Sequence, residues 1–525
     1  MSTQESLTPA PESEFSSGSR WFTGAMAAVT ILAAANLILH ICVDPRYGYF
    51  RDELYYLACG RHPAWGYVDQ PPVAPWIAWL LEHTIGTSLY ALRLIPALSA
   101  AVIVWMTGWF AVEFGGRRIA PWLAALAIFA APVYLAMGHL FTMNAWTPLL
   151  WMGCALVIIR ILKTGNQKLW LWFGVLLGIG ILSKYDILFF AIGLFSGILL
   201  TPLRRSLARP WIWIGIVIAG LMALPNFLWQ LHRGFPFLIL MENIRRSGRD
   251  VRLSPLPFVG QQAGMMNFLA YLLVFAAVVF FFTRIGKPYR VLGWGFLVTF
   301  LTMMFLKGKN YYLAPVYPMM FAAGAVAFEH WTERRSLRWS RPVYAALIAL
   351  LGIVSVPAAI PFLSEQHFIQ YAKLMHIQLP RFENQPQGSL PQLFADMHGW
   401  RNMTRAVATY YNSLPPDLRA KTGIFGNNYG EAGAIDFFGP KYGLPPAIST
   451  HQNYYYWGPR GYTGESLIVL GEGDPVKLRQ ECTTVKVITT LDDPWARPDE
   501  NIPIYHCIGL KWPLKDVWPT IKHFN

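Results

Sequence analysis

Asp52 and Glu53 are adjacent carboxylates in the stretch YFRDELYYLACGRHPAWGYVDQPP (residues 49–72), which lies between two apolar segments. A carboxylate pair in such a place suits a general base, a pair of ligands for a divalent cation, or simply the acidic start of a solvated helix. Neighbouring residues on a helix point about 100° apart. The two would therefore take different tasks, one aimed at a substrate and the other at a partner within the protein. Asp52 shares its face with Tyr55 and Tyr56, and Arg51, His62 and Tyr67 in the same stretch are candidate substrate contacts.

Cations stand in two very short connections. Lys184 is followed by Tyr185 in SKYD, and Lys307 and Lys309 are followed by Tyr311 and Tyr312 in KGKNYY. Lysines at the ends of apolar helices snorkel to the interface. Gathered together they also form a point-charge site for an anionic headgroup, with tyrosine hydroxyls as extra donors. Arg245, Arg246, Arg249 and Arg252 offer the same chemistry from another loop. His139 and Asn144 bracket the turn GHLFTMN, as local hydrogen-bond partners or as substrate contacts, and Glu431 in NNYGEAGAI is a helix cap or a substrate contact. Asp52 and Glu53 could join a divalent-ion site, but no other outer carboxylate is placed to complete an oxygen cage. With lysines to supply the positive charge, no cofactor or metal is expected.

The elements that must position these residues are membrane helices. The chain has 525 residues, 54% hydrophobic and only 14% charged, the composition of a polytopic membrane protein rather than a soluble one. The net charge of +14 belongs to basic cytoplasmic loops, and no nucleic-acid partner is expected. A lipid core of about 30 Å needs about 20 apolar residues per helix. Eleven segments qualify: 21–43, 89–113, 118–135, 142–162, 168–183, 185–201, 210–231, 264–283, 290–306, 311–329 and 342–362. The fifth and sixth are short, as tilted or broken helices would be.

One set of short connections (115–118, 160–168, 202–209, 284–290, 333–341) holds fifteen Lys and Arg, and the opposite set (138–143, 183–186, 307–310) holds three. The positive-inside rule then puts a disordered tail, residues 1–20, in the cytoplasm. The long loops 44–88 and 232–263 and the C-terminal region lie outside. The run at 71–86, PPVAPWIAWLLEHTIG, is amphipathic and suits the interface. Residues 363–525 have the composition of a small α/β domain, with strands at TGIFGNN, SLIVL, TTVKVITTL and IPIYHCIGL. Its two cysteines, Cys482 and Cys507, are a disulfide candidate in an oxidising space.

Carboxylates, lysines and tyrosines on one outer surface suit transfer of a group from a phosphate-bearing lipid carrier to an acceptor outside the membrane. A base takes the acceptor proton and cations stabilise the leaving phosphate. No nucleotide-binding fingerprint is present, as a lipid-linked donor requires. A transporter or flippase would instead carry charges within its spans, and a non-catalytic envelope scaffold would use the C-terminal domain for binding.

The stretch at 49–75, together with GHLFTMNAWTPLLW, GILSKYD and KGKNYYLAPVYPMMFAAGA, resembles bacterial members of glycosyltransferase family 39. These are related to the dolichyl-phosphate-mannose protein mannosyltransferases and the lipid A aminoarabinose transferases. The resemblance covers residues 20–360. It implies a GT-C membrane fold and an inverting transfer from a polyprenyl-phosphate sugar on the outer face of the inner membrane. It also implies an essential acidic residue at Asp52 or Glu53, with Asp52 as base and Glu53 as support or the reverse. Lys309, Tyr311 and Tyr312 become donor-phosphate ligands, joined by Lys184 and Tyr185. The C-terminal domain departs from the eukaryotic enzymes, so the acceptor stays open among protein, lipid A, glycolipid and polysaccharide.

Overall fold

A computed structural model describes residues 12–377, 383–472, 474–501 and 503–525. Up to residue 359 the chain is helical: α1 (Glu12–Val43), α2 (Arg51–Gly60), α3 (Val73–Thr84), α4 (Leu89–Glu113), α5 (Ala120–Phe129), α6 (Pro132–His139), α7 (Thr147–Thr164), α8 (Trp170–Ser183), α9 (Ile187–Leu199), α10 (Pro210–His232), α11 (Pro236–Ser247), α12 (Pro255–Met265), α13 (Phe268–Phe282), α14 (Arg290–Phe305), α15 (Tyr317–Arg334) and α16 (Ser340–Ala359). The first helix begins inside the polar segment expected as a disordered tail; residues 1–11 of that segment lie outside the described residues.

Each of the eleven expected spans is mostly helical, but fewer qualify as crossings by length. Among the described residues six stretches are long and apolar enough: Gly24–Val43, Leu89–Glu113, Met143–Thr164, Pro210–His232, Asn310–Arg334 and Ser340–Ala359. Three bent units bring the total to nine. They are α5 with α6 (63°), α9 with the turn Pro202–Ala208 (102°), and α12 with α13 (114°). The bends have local causes. Pro132 stands at the start of α6, where its missing N–H and fixed φ favour a new helix over a continued one. Asn267 caps α13, accepting from the Leu269 and Ala270 amides, and its Nδ2 donates to the Ala130 and Ile348 carbonyls. α8 and α14 have only 14 and 16 residues, short of a full crossing.

Glycines set the closest helix contacts. A Cβ on Gly174 would strike the Gly215 backbone of α10, and one on Gly324 of α15 would strike the Leu273 carbonyl of α13. Small residues let backbones approach where no hydrophobic drive separates helix from lipid.

Beyond α17 (Glu365–Leu374) the chain builds a four-stranded sheet, ordered β1-β2-β4-β3, from β1 (Thr422–Gly426), β2 (Ser466–Leu470), β3 (Cys482–Thr490) and β4 (Pro503–Leu510). β1 and β2 are parallel; β4 runs antiparallel to both its neighbours. The expected strands and their order are met, and Cys482 and Cys507 form a disulfide between β3 and β4. Helices α19 (Trp400–Ser413), α20 (Pro416–Lys421) and α21 (Tyr429–Phe438) pack with the sheet, and α18 (Gln392–Ala395) packs with Phe50, Leu140 and Phe368 instead. One apolar core runs through α2, α3, α19, α21 and the central strands, and Gly433 of α21 lies against the Leu54 backbone of α2. The short helix α2 is thus packed between bundle and sheet domain.

Gly324→Leu should force α15 away from α13, at a cost of about 1–3 kcal/mol. Thermal unfolding in detergent should show the loss as a lowered midpoint.

Candidate active site

The site grows from the start of α2. Glu53 is fully buried. Its Oε1 accepts from Arg93 Nε (3.0 Å) and the Phe141 amide (3.0 Å); its Oε2 accepts from Arg93 Nη2 (3.0 Å) and the Phe50 amide (2.8 Å). Arg93, also fully buried, donates further to the Asp44 and Gly48 carbonyls at 2.7 and 2.6 Å. Both oxygens of Glu53 are thus engaged within the protein. His139 belongs to the same knot, with Nε2 3.1 Å from Arg93 Nη1 and Nδ1 3.2 Å from Asp44 Oδ1. Buried there, it is a partner of Arg93, the local role that was one of its two expected readings.

Asp52, one residue earlier, turns to the other side and is half-buried. Its Oδ1 accepts a 2.7 Å hydrogen bond from Tyr429 Oη. Tyr429 comes from the first turn of α21, in the C-terminal domain. Asn428 caps that helix by accepting from the Gly430 and Glu431 amides, and Glu431 accepts in return from the Asn427 and Asn428 amides. Glu431 is therefore a buried helix cap, one of its two expected roles. The Tyr429 ring is held by Tyr55 (4.6 Å), His451 (5.1 Å) and the Arg51 guanidinium (5.2 Å).

A second carboxylate joins Asp52. Asp69 Oδ1 accepts from Tyr55 Oη at 3.1 Å. Burial pushes its carboxyl up to about 7; its hydrogen bonds oppose this, the charge of Asp52 adds to it, and Arg249 counters it. Sequence reasoning missed Asp69, although it lies in the quoted stretch, because a lone carboxylate in a loop carries no pattern that reveals its burial.

The cations gather in two groups. Lys184, in the break between α8 and α9, lies 2.8 Å from Asn144 Oδ1 and 2.8 Å from Asp186 Oδ2, with its ammonium 4.1 and 5.4 Å from the Tyr312 and Tyr311 ring centroids. Lys309 pairs with Asp250 at 3.0 Å, and Arg249 with Glu383 at 3.1 Å. Burial alone would lower the Lys309 pKa, but Tyr312, Asp250 and Glu383 outweigh it and raise it. Asp250 and Glu383 had no expected role. Two buried guanidinium donors, Arg51 Nε and Arg249 Nε, have no hydrogen-bond acceptor among the described residues.

Other expected site residues lie apart. Lys307 is exposed beyond α14. Tyr185 donates to Asn226, which in turn donates to the Trp65 carbonyl. Tyr67 is fully buried, with its hydroxyl between the Cys59 and His62 carbonyls, so it shapes the loop and offers no surface for a sugar. His62 is exposed and stacks on Trp457 at 4.2 Å. Among the described residues no group of three or more His, Cys, Asp or Glu is disposed to hold a metal ion.

Breaking the Glu53–Arg93 pair strands a buried charge. Arg93→Ala should cost about 3–5 kcal/mol, seen as a loss of monodisperse protein on size exclusion, whereas Asp52→Asn should purify like the wild type.

Residues 69–229 match the dolichyl-phosphate-mannose-protein mannosyltransferase family. The matched stretch holds Asp69, Asn144 and Lys184 but neither Asp52 nor Lys309. A lipid A galacturonosyltransferase, RgtD, of Rhizobium johnstonii is 29% identical over 188 residues, 35% of this chain and 38% of that relative. The chain thus spans well under half the length of the curated relative it matches. The solved structure of ArnT from Cupriavidus metallidurans bound to undecaprenyl phosphate matches with a TM-score of 0.58 at 14% identity, over 91% of this chain and 97% of the other. Its apo form matches at 0.57 over 92% and 98%. The sequence match thus covers residues 69–229, and the likeness of fold to the ArnT structures extends over nine-tenths of the chain.

Proposed function

We propose that the protein transfers a sugar, with inversion, from a polyprenyl-phosphate carrier to an acceptor at the outer face of the cytoplasmic membrane. The observation that carries this reading is the half-buried Asp52, oriented by Tyr429, whose ring lies beside the Arg51 guanidinium, with the Nε donors of Arg51 and Arg249 buried and without a hydrogen-bond acceptor among the described residues. The ArnT fold, solved with undecaprenyl phosphate bound, supports the carrier class. The name of the galacturonosyltransferase relative favours lipid A or a similar glycolipid among the acceptors.

In this mechanism one Asp52 oxygen holds the Tyr429 hydroxyl and the carboxylate takes the proton of the acceptor hydroxyl. The acceptor oxygen bonds to the anomeric carbon as the bond from that carbon to the phosphate oxygen breaks. The electron pair leaves with the phosphate. Lys184, Lys309, Arg249 and Arg51 stabilise that charge, with the hydroxyls of Tyr311 and Tyr312 as added donors. Glu53 holds the helix start that aims Asp52. Buried lysine and arginine supply the positive charge in place of a metal ion. Eleven crossings, counting α8 and α14 as short tilted spans, would leave the N-terminus in the cytoplasm and the sheet domain outside, where its disulfide is stable.

Asp52→Asn should lower transfer from a polyprenyl-phosphate sugar by about 10²–10⁴-fold while carrier binding, read by native mass spectrometry, persists. Full activity in that variant would sink the assignment. Asp69 adds a pH dependence. As it ionises through about pH 7, its charge opposes the donor phosphate, so kcat/KM for the donor should fall above that pH. The fall should be absent in Asp69→Asn.

A further inference from the structure

α10 keeps an exposed apolar face through Leu224, Phe227, Leu228 and Leu231 to its last turn, and α11 then exposes Leu238, Ile239 and Met241. Arg233 stands between these two lipid-suited surfaces. Its guanidinium lies 4.6 Å from the Trp229 ring centroid and 5.1 Å from that of Tyr456 in the C-terminal domain. Lys522 approaches the same aromatic group from its other members, 4.5 Å from Phe524 and 5.6 Å from Tyr455. Tyr455, Tyr456 and Phe524 lie 5.4, 5.8 and 6.0 Å apart in pairs. Two cations therefore flank one aromatic platform. Asn243 of α11 ties that platform to the bundle by donating to the Phe524 carbonyl at 2.6 Å.

The neighbouring cations are already engaged: Arg245 and Arg246 pair with Glu242, and Arg249 with Glu383. Arg233 and Lys522 are exposed and have no carboxylate partner among the described residues. The Tyr456 hydroxyl is buried without a hydrogen-bond partner. Val68, beside Asp69, packs with Phe524, so the platform adjoins the loop that carries the candidate site.

We propose that Arg233 and Lys522 bind the phosphate of an anionic lipid headgroup in the leaflet beside the sheet domain. The edge-to-face and tilted rings fix the guanidinium and remove part of the cations' water before any ligand arrives. Apolar faces on either side receive the acyl chains, and Arg and Lys supply a fork and a point charge to the phosphate. No residue of this site is shared with the Lys184 or Lys309 groups.

The test uses the full-length protein in detergent, titrated with phosphatidylglycerol or phosphatidylcholine and read by native mass spectrometry. Phosphatidylglycerol should be retained over phosphatidylcholine. Arg233→Gln and Lys522→Gln should each weaken its retention about fivefold, and Arg233→Lys should keep most of it. Arg246→Gln, which removes a cation already paired with Glu242, should change little. Equal retention of the two lipids, or undiminished retention in the double Gln variant, would overturn the proposal. So would a loss in Arg246→Gln as large as in Arg233→Gln, which would mean diffuse surface charge. Complete displacement of phosphatidylglycerol by millimolar inorganic phosphate would show a free-anion site instead. Asp52→Asn should bind phosphatidylglycerol normally, so this result and the fate of the transfer reaction are read separately.

Discussion

The guanidinium of Arg93 meets the carboxylate of Glu53 through two hydrogen bonds in a region with no access to solvent. Such a pair is held only where the remaining lone pairs and protons are satisfied, and here backbone groups from three places do that. The Phe50 amide starts α2, the Phe141 amide follows α6, and the Asp44 and Gly48 carbonyls belong to the segment after α1. One ion pair thereby joins α1, α2, α4 and α6 at a single point. The direction of α2, and with it the aim of Asp52, depends on that point.

The two adjacent carboxylates divide their work by geometry. A turn of about 100° per residue sends Glu53 into the bundle and Asp52 toward the sheet domain. The sheet domain in turn contributes to the site: Tyr429 reaches Asp52, and Asn453 donates its amide to Tyr55, the residue that holds Asp69. The surroundings of Asp52 and Asp69 thus draw on both the bundle and the sheet domain.

Much of this was legible in the sequence. Apolar runs marked the helices, alternation marked the strands, and the two late cysteines marked the disulfide, because each signal is local. Lys184, Tyr311 and Tyr312 were expected on one face, and the Lys184 ammonium lies near both rings. What stayed hidden depended on contacts between distant segments. Nothing near Asp250 or Glu383 announces that they neutralise Lys309 and Arg249, and nothing near Tyr429 points to a carboxylate 377 residues away. Asp69 is raised toward neutrality mainly by burial, which a sequence does not display. The bends after Phe129 and Met265 were hidden for another reason. Hydropathy sums over a break without registering it, although Pro132 and Asn267 are its local signs.

The hydrogen bond from Tyr429 to Asp52 also has a consequence in time. Ribosomes make the carboxylate early and its donor late, with the whole helical bundle between them. A nascent or truncated chain that has inserted all its helices still presents Asp52 without its partner. The Asp52 carboxylate gains its tyrosine partner only when α21 docks on α2, so the last domain to be made completes the surroundings of a residue made near the start.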